Sequence, residues 1–214
     1  MRLAIFDLDG TITRHDTLAP YVGGFLLRHP WRIPRALGVV PALLAFALGL
    51  CDRGPLKAAL MRSALGGVRR AQLDAWSEQF VRHLLARGTF AAARARITEH
   101  ARAGEHLVLM SASPDLYVPV IARALGFQEV ICTGVRWHGE RLDGRLSTPN
   151  RQGEEKVHCL QALRARVPGP ASAYGNSSAD LAHLRQVEHG VLVNGSARAR
   201  RAAARSGLTC ERWG

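Results

Sequence analysis

Two aspartates stand two residues apart directly after an apolar run: Leu3-Ala4-Ile5-Phe6 gives way to Asp7-Leu8-Asp9-Gly10-Thr11. In extended backbone, residues i and i+2 share a face, so both carboxylates can address one group of atoms. Two like charges that close repel each other. A divalent cation removes the difficulty, and Mg²⁺ takes one or two carboxylates together with substrate phosphate oxygens and water. Further along, Ser111 offers a hydroxyl, and the backbone N–H groups beside it, Ala112 included, are expected to open a helix and cradle an anion. Asn176 and Asp180, spaced i and i+4 across a turn into a helix, can present oxygens on one face. Lys156 adds a positive charge that can neutralise both a nucleophile and a transferring group. Together these residue types describe phosphoryl transfer through a covalent aspartyl phosphate. Each has a plainer reading alone: a turn for Asp-x-Asp-Gly, a helix cap for Ser111, a solvated side chain for Lys156. Their joint occurrence argues for the chemistry.

The elements that must position them read as alternating strands and helices. Leu3 to Phe6 is a short buried strand, and the texture from about Tyr21 to Arg87 is helical, punctuated by Pro30, Pro34, Pro41 and Pro55. After Gly88 follow a helix over Ala91 to Ala103, a strand from His106 to Met110, and a helix from Pro114 to Leu125. Val130 to Trp137 and Leu142 to Ser147 flank His138-Gly139-Glu140-Arg141 as a small antiparallel hairpin. A helix over Glu154 to Arg166, a strand over Ala171 to Tyr174, a helix to about Gln186, a last strand at Val191 to Val193 and an arginine-rich helix complete the chain. This is the grammar of an α/β fold with a parallel sheet. Ligands of such sheets bind beyond the carboxyl ends of the strands, where Asp7, Asp9, Ser111, Asn176 and Asp180 are expected to converge.

In this order the Asp-Leu-Asp-Gly-Thr string, the Ser111 strand end, Lys156 in Gly-Glu-Glu-Lys and the Gly175-Asn-Ser-Ser-Ala-Asp180 loop resemble the four motifs of the haloacid dehalogenase superfamily. Ser111-Ala-Ser-Pro-Asp-Leu-Tyr117 and the helical segment after the first strand resemble its phosphoserine-phosphatase-like branch, subfamily IB. The resemblance implies a Rossmann-like core of residues 1–15 and 88–214 and an inserted C1-type helical cap of residues 16–87. It further implies Mg²⁺-dependent phosphomonoester hydrolysis, with Asp7 as nucleophile and Asp9 as general acid and then base. Ser111, Ala112 and Lys156 would hold the phosphoryl group. Asp7, the carbonyl of Asp9 and Asn176, with Asp180 nearby, would hold the metal. Asn176 stands where the family commonly has aspartate; an amide oxygen can ligate Mg²⁺ but brings no charge, so weaker metal affinity is expected. Asp16 matches an acidic residue that meets the substrate amine in phosphoserine phosphatases, and it also suits a helix start. Arg62, and after it Lys57, stand on the cap segment where a substrate carboxylate or head group would be read.

Composition bounds the partners. The chain has 214 residues, 47% hydrophobic and 21% charged, a globular balance that excludes a disordered tail or a polytopic membrane protein. Its formal charge of +12 comes from 29 basic against 17 acidic residues, and all the basic residues but Lys57 and Lys156 are arginine. Such an excess attracts anions: phosphorylated substrates, acidic lipid or nucleic acid. For the arginines of the last helix, Arg198, Arg200, Arg201 and Arg205, a solvated face is favoured over nucleic-acid binding, since they have no interleaved aromatics. The four cysteines show no C-x-x-C pair, so free thiols are expected. The N-terminal residues lack the order of a signal peptide, and a cytoplasmic location, or one peripheral on the inner membrane face, is expected.

Residues Ala36 to Cys51 carry no charge and are almost wholly apolar. As a helix they would span about 24 Å, short of the roughly 30 Å hydrocarbon core of a bilayer. A crossing would also put Asp7 and Lys156 on opposite sides of a membrane. Burial in the cap, a homodimer contact or a peripheral membrane contact are the readings left, with core or dimer packing placed ahead of membrane contact. The substrate correspondingly divides between a small phosphomonoester such as phosphoserine and a lipid phosphate such as phosphatidylglycerophosphate. A third class, an anion- or nucleic-acid-binding protein without turnover on the same fold, stays open.

Overall fold

The computed structural model describes residues 1–214. At its centre lies β1 (Leu3–Phe6), whose four residues are all buried. Alternation along this strand sends Ala4 and Phe6 to one face and Leu3 and Ile5 to the other, and each pair joins a different hydrophobic cluster. Five further strands run parallel to it: β2 (His106–Pro114), β3 (Glu129–Thr133), β6 (Ala171–Gly175), β7 (His189–Val193) and β8 (Thr209–Glu211). The sheet order is β3-β2-β1-β6-β7-β8. One face is covered by α6 (Ala91–Arg102) and α7 (Val118–Leu125), through Ala93, Ile97, Val118 and Ile121. The other is covered by α8 (Glu154–Arg166), α9 (Leu181–Leu184) and α10 (Ala197–Ala204), through Leu160, Leu163, Leu184 and Ala203. The result is the Rossmann-like parallel sheet expected, with a separate hairpin of β4 (Val135–His138) and β5 (Arg141–Leu146).

Between β1 and β2 the chain makes α1 (Leu18–Arg28), α2 (Ile33–Ala36), α3 (Val40–Ala47), α4 (Arg53–Leu65) and α5 (Arg70–Arg87). Pro34 and Pro41 stand at the starts of α2 and α3, where a missing N–H costs nothing, and break the segment into short pieces. The insertion leaves and re-enters through adjacent backbone: Arg14 N–H donates to the Gly88 carbonyl at 2.8 Å and Phe90 N–H to the Ile12 carbonyl at 3.0 Å. It is also packed to the core, with the rings of Tyr21 and Tyr117 4.5 Å apart and Ser77 Oγ donating to the Leu116 carbonyl at 2.8 Å.

Four expectations are corrected. The run from Val130 to Trp137 is two strands, because Glu129 to Ile131 pair with β2 in the main sheet and the chain turns at Gly134 before the hairpin begins. That hairpin is wired to the insertion: Gly67 N–H donates to the Leu142 carbonyl at 2.7 Å and Leu142 N–H to the Val68 carbonyl at 3.0 Å. The helix expected from Pro114 begins at Val118, since β2 continues through a register shift to pair Pro114 with Thr133. Val191 to Val193 is not the last strand, for the short and largely exposed β8 adds to it. Finally, residues 36–51 form no core: α2, α3 and the turn between them hold no buried residue. No helix is long and apolar enough to cross a membrane.

Candidate active site

Lys156, in the first turn of α8, is the centre of a buried charge cluster. Its Nζ donates to Asp7 Oδ1 at 2.6 Å and to Asp180 Oδ1 at 2.7 Å. Asp7 follows β1, Asp180 precedes α9, and all three residues are buried. Thr11 Oγ1 donates to the other oxygen of Asp7 at 3.1 Å, and Ser177 donates to Asp180 Oδ2 through its N–H at 3.0 Å and its hydroxyl at 2.6 Å. A single ammonium thus joins the loops after β1 and β6 at the carboxyl edge of the sheet.

Burial pushes the Asp7 carboxyl up to about 7; Lys156 opposes the rise, while Asp180 and Asp9 add to it. Burial would raise Asp180 too, but Lys156, with help from His183 and the Ser177 hydrogen bond, holds it well below the usual carboxylate range. Lys156 is itself disfavoured by burial, yet the two carboxylates raise it above the ordinary lysine value. It stays charged at every pH of interest.

Asp9 is held differently. Thr17 donates to its Oδ1 through the backbone N–H at 2.8 Å and the hydroxyl at 2.7 Å, and Ser113 Oγ donates to Oδ2 at 2.7 Å. Burial raises this carboxyl above its ordinary value, with those hydrogen bonds pulling against the rise. Tyr117 OH shares a hydrogen bond with Thr17 Oγ1 at 2.9 Å, which fixes the threonine at the start of the insertion.

These groups open on a pocket of about 370 Å³ lined by Asp7, Asp9, Asp16, Asp180, Arg14, Arg53, Lys57, Lys156, Asn176 and Ser113 among others. Of the residues singled out from sequence, Asp7, Asp9, Asp16, Ala112, Lys156, Asn176 and Asp180 all reach it. Asp16 lies exposed at its rim and caps α1 as well, accepting from Leu18 N–H at 3.0 Å. Ser111 is fully buried and does not line the pocket; its Oγ accepts the Ser113 N–H at 3.0 Å and so steadies the backbone that does. Arg62 is a correction: it is exposed and lies outside the pocket, whereas Lys57 lies inside it. The two are five residues apart on α4, about 140° round the helix, so they cannot share a face.

Lys57 Nζ donates to the Ala112 carbonyl and, at 2.6 Å, to Asn150 Oδ1. Burial lowers it to about 8, with Asp9 and Asp16 pulling it back and Arg53 adding to the fall. Thr17 and Ser113, the two partners of Asp9, carry no signal in the sequence; serine and threonine beside turns are too common to stand out. Lys57 carried the signal that marked Lys156, its rarity in an arginine-rich chain.

The residues present fit a divalent cation. Asp7, Asp9, Asp180 and Asn176 offer hard oxygen donors, and two buried carboxylates with the half-buried Asp9 beside them are balanced by one buried ammonium. Gly10, at φ +78°, lets Asn176 lie against the backbone: a Cβ there would fall 1.9 Å from Asn176 Nδ2. No three His, Cys, Asp or Glu side chains make a ready ligand shell, so a cation here would draw on the amide of Asn176 and on backbone as well.

Comparison with known proteins agrees with this geometry. Residues 4–185 match the haloacid dehalogenase-like hydrolases. The chain is 34% identical to protein CicA of Caulobacter vibrioides over 188 residues, covering 83% of this chain and 79% of that protein. It is 28% identical over 210 residues to the phosphoserine phosphatase SerB1 of Mycobacterium tuberculosis, covering 95% of this chain and 68% of the relative. A crystal structure of a Bordetella pertussis Tohama I protein with unknown function superposes with a TM-score of 0.82 at 24% identity, covering 98% of this chain and 97% of that one.

Proposed function

Because the chain belongs to the haloacid dehalogenase-like hydrolase family, we propose that its polar pocket hydrolyses phosphomonoesters, with Asp7 as the nucleophile. The observation that supports this most is the Lys156 bridge, which holds Asp7 and Asp180 at 2.6 and 2.7 Å in a buried site. An oxygen of Asp7 attacks phosphorus while the bond to the leaving oxygen breaks, and Asp9 gives that oxygen its proton. A water then attacks the aspartyl phosphate, Asp9 takes its proton, and phosphate leaves with Asp7 restored. The raised Asp9 carboxyl suits a group that must carry a proton before it can donate one. Thr17 and Ser113 aim it, and Lys156 offsets the charge of the transferring group.

Mg²⁺ would be held by Asp7, the Asp9 carbonyl and Asn176, with Asp180 behind them, and would supply charge stabilisation to the phosphoryl oxygens. The helices of residues 16–87 act in this reading as a cap that selects the alcohol. Asp16 at the rim would meet a cationic amine, which together with the likeness to SerB1 makes phosphoserine the first substrate to try. A second reading, a phosphate carried on a lipid, is favoured by the exposed apolar residues that lead through Leu50 into Arg53 at the pocket.

The deciding assay is phosphate release from p-nitrophenyl phosphate, phosphoserine and phosphatidylglycerophosphate in mixed micelles, with Mg²⁺ or with EDTA. Release that requires Mg²⁺ and vanishes in Asp7→Asn is expected. Release that survives in Asp7→Asn would overturn the assignment of the nucleophile.

A further inference from the structure

Apart from Met1, every exposed large hydrophobic residue of the chain lies between Leu27 and Leu50. Within that stretch the usual order of a surface helix is inverted. Ala36, Val39, Ala42 and Ala45 are half-buried at a three-residue spacing, in pieces that pack against α4. Leu37, Leu44 and Leu48 are instead 63%, 60% and 73% exposed. A helix facing water buries its large side chains and shows its small or polar ones, so this surface is shaped for something other than water.

Its rim indicates what. Between Asp16 and Asp52 there is no aspartate or glutamate. Arg28 and Arg35 within the stretch, and Arg53 just beyond it, are exposed, while Arg32 is taken up in donating to the Ala64 carbonyl at 2.9 Å and the Gly66 carbonyl at 2.6 Å. Trp31 is 71% exposed, an amphipathic ring suited to a polar–apolar boundary. A second copy packed about a two-fold axis would set this all-basic rim against itself. Anionic headgroups supply the missing negative charge, and a bilayer accepts the leucines.

We infer that residues 27–50 seat the protein on an anionic lipid bilayer, lying in its surface rather than crossing it, with Leu44, Leu48 and Trp31 in the headgroup boundary and Arg28, Arg35 and Arg53 on the lipid phosphates. Arg53 also lines the catalytic pocket, so docking brings the pocket mouth to the lipid surface. The inference does not rest on the hydrolytic reading, because docking is read without turnover.

The test is flotation of the full chain with phosphatidylcholine vesicles, with and without phosphatidylglycerol, alongside sedimentation velocity without lipid. Binding roughly 100-fold tighter to the anionic vesicles is expected, the scale of three arginines at such a surface. Leu44→Asp with Leu48→Asp should abolish it while thermal unfolding and p-nitrophenyl phosphate hydrolysis stay unchanged. Arg28→Gln with Arg35→Gln should reduce it toward the phosphatidylcholine level. Brominated lipid should quench fluorescence in the native chain and lose most of that effect in Trp31→Phe. Equal binding to both vesicles, no binding by the folded protein, or a dimer that Leu44→Asp with Leu48→Asp dissociates would overturn the inference.

Discussion

Lys57 on α4 donates a hydrogen bond to Asn150 Oδ1, 2.6 Å away in the loop before α8, and so ties the insertion to the core beside the pocket. The same ammonium has its proton affinity lowered by burial to about 8. It is charged below that pH and neutral above it. A substrate phosphate bound in the pocket is therefore expected to lose affinity as pH rises through about 8. Steady-state kinetics should show KM climbing across that interval in the native enzyme. In Lys57→Gln, KM should be raised roughly tenfold at neutral pH and then be flat, a loss on the scale of one charge-assisted hydrogen bond. A KM that climbs equally in both would refute the assignment.

Lys156, Asp7 and Asp180 should behave as one unit. Lys156→Met leaves two buried carboxylates facing each other, which by the usual cost of breaking a buried pair is about 3–5 kcal/mol. Urea unfolding in EDTA measures this. Each of Lys156→Met and Asp7→Asn is expected to lower kcat by at least about 10³-fold, and the double variant hardly more than the worse single one. Additive losses would separate the two roles.

In the proposed function, Asn176 and Gly10 would set the Mg²⁺ requirement. Asn176→Asp adds a charge to an oxygen donor set, and the Mg²⁺ concentration for half-maximal activity should fall by roughly tenfold. Gly10→Ala places a methyl group on a residue at φ +78° and against Asn176, so the requirement should rise and stability should drop by about 1–3 kcal/mol. Titration with Mg²⁺ distinguishes a lost ligand position from a lost nucleophile, since only the former is offset by more metal.

His183 is buried, with Nδ1 unpaired, and burial lowers it to about 3. The unfolded chain takes up this proton near the ordinary value of 6.5, whereas the native state stays neutral until about 3. The unfolded state therefore binds more protons across that window, and this residue's contribution to stability falls as pH falls, by up to about 1.4 kcal/mol per pH unit. Comparing urea midpoints at neutral pH and at about pH 4.5, His183→Gln should gain relative to the native chain on the acid side. Asp7 drives the opposite trend, so the difference between the two proteins, and not either curve alone, carries the prediction.

The parallel sheet was legible because apolar runs such as Leu3 to Phe6 end abruptly in polar loops, and buried strands leave no other pattern. Asp7, Asp9 and Lys156 stood out by spacing or rarity. What escaped notice were features that depend on where helices turn. Arg62 and Lys57 both stand on the cap segment as readers of a head group, and only their angular positions on α4 put Lys57 in the pocket and Arg62 outside it. Ser111 and Ser113 are likewise two ordinary serines until β2 runs past Met110, burying the first and aiming the second at Asp9. The strand Thr209–Glu211 is short and mostly exposed, so neither length nor hydrophobicity announced it. Residues 36–51 look like core by composition, and the fold places their small side chains inward instead.

The insertion leaves the sheet after Ile12 and returns before Phe90 along paired backbone, so its two ends are neighbours whatever lies between them. The entropy of closing such a loop grows only with the logarithm of its length, and the pairing of Leu3 with His106 does not feel what the intervening helices are. This junction would let the helices of residues 18–87 be exchanged as a cassette, with Thr17 kept on the core side because it holds Asp9. A chimera that keeps the Ile12–Arg14 and Gly88–Phe90 pairing and accepts a relative's helices should fold around the same aspartates. Substrate choice and surface attachment could then be inherited together, by recombination, without redesign of the chemistry beneath.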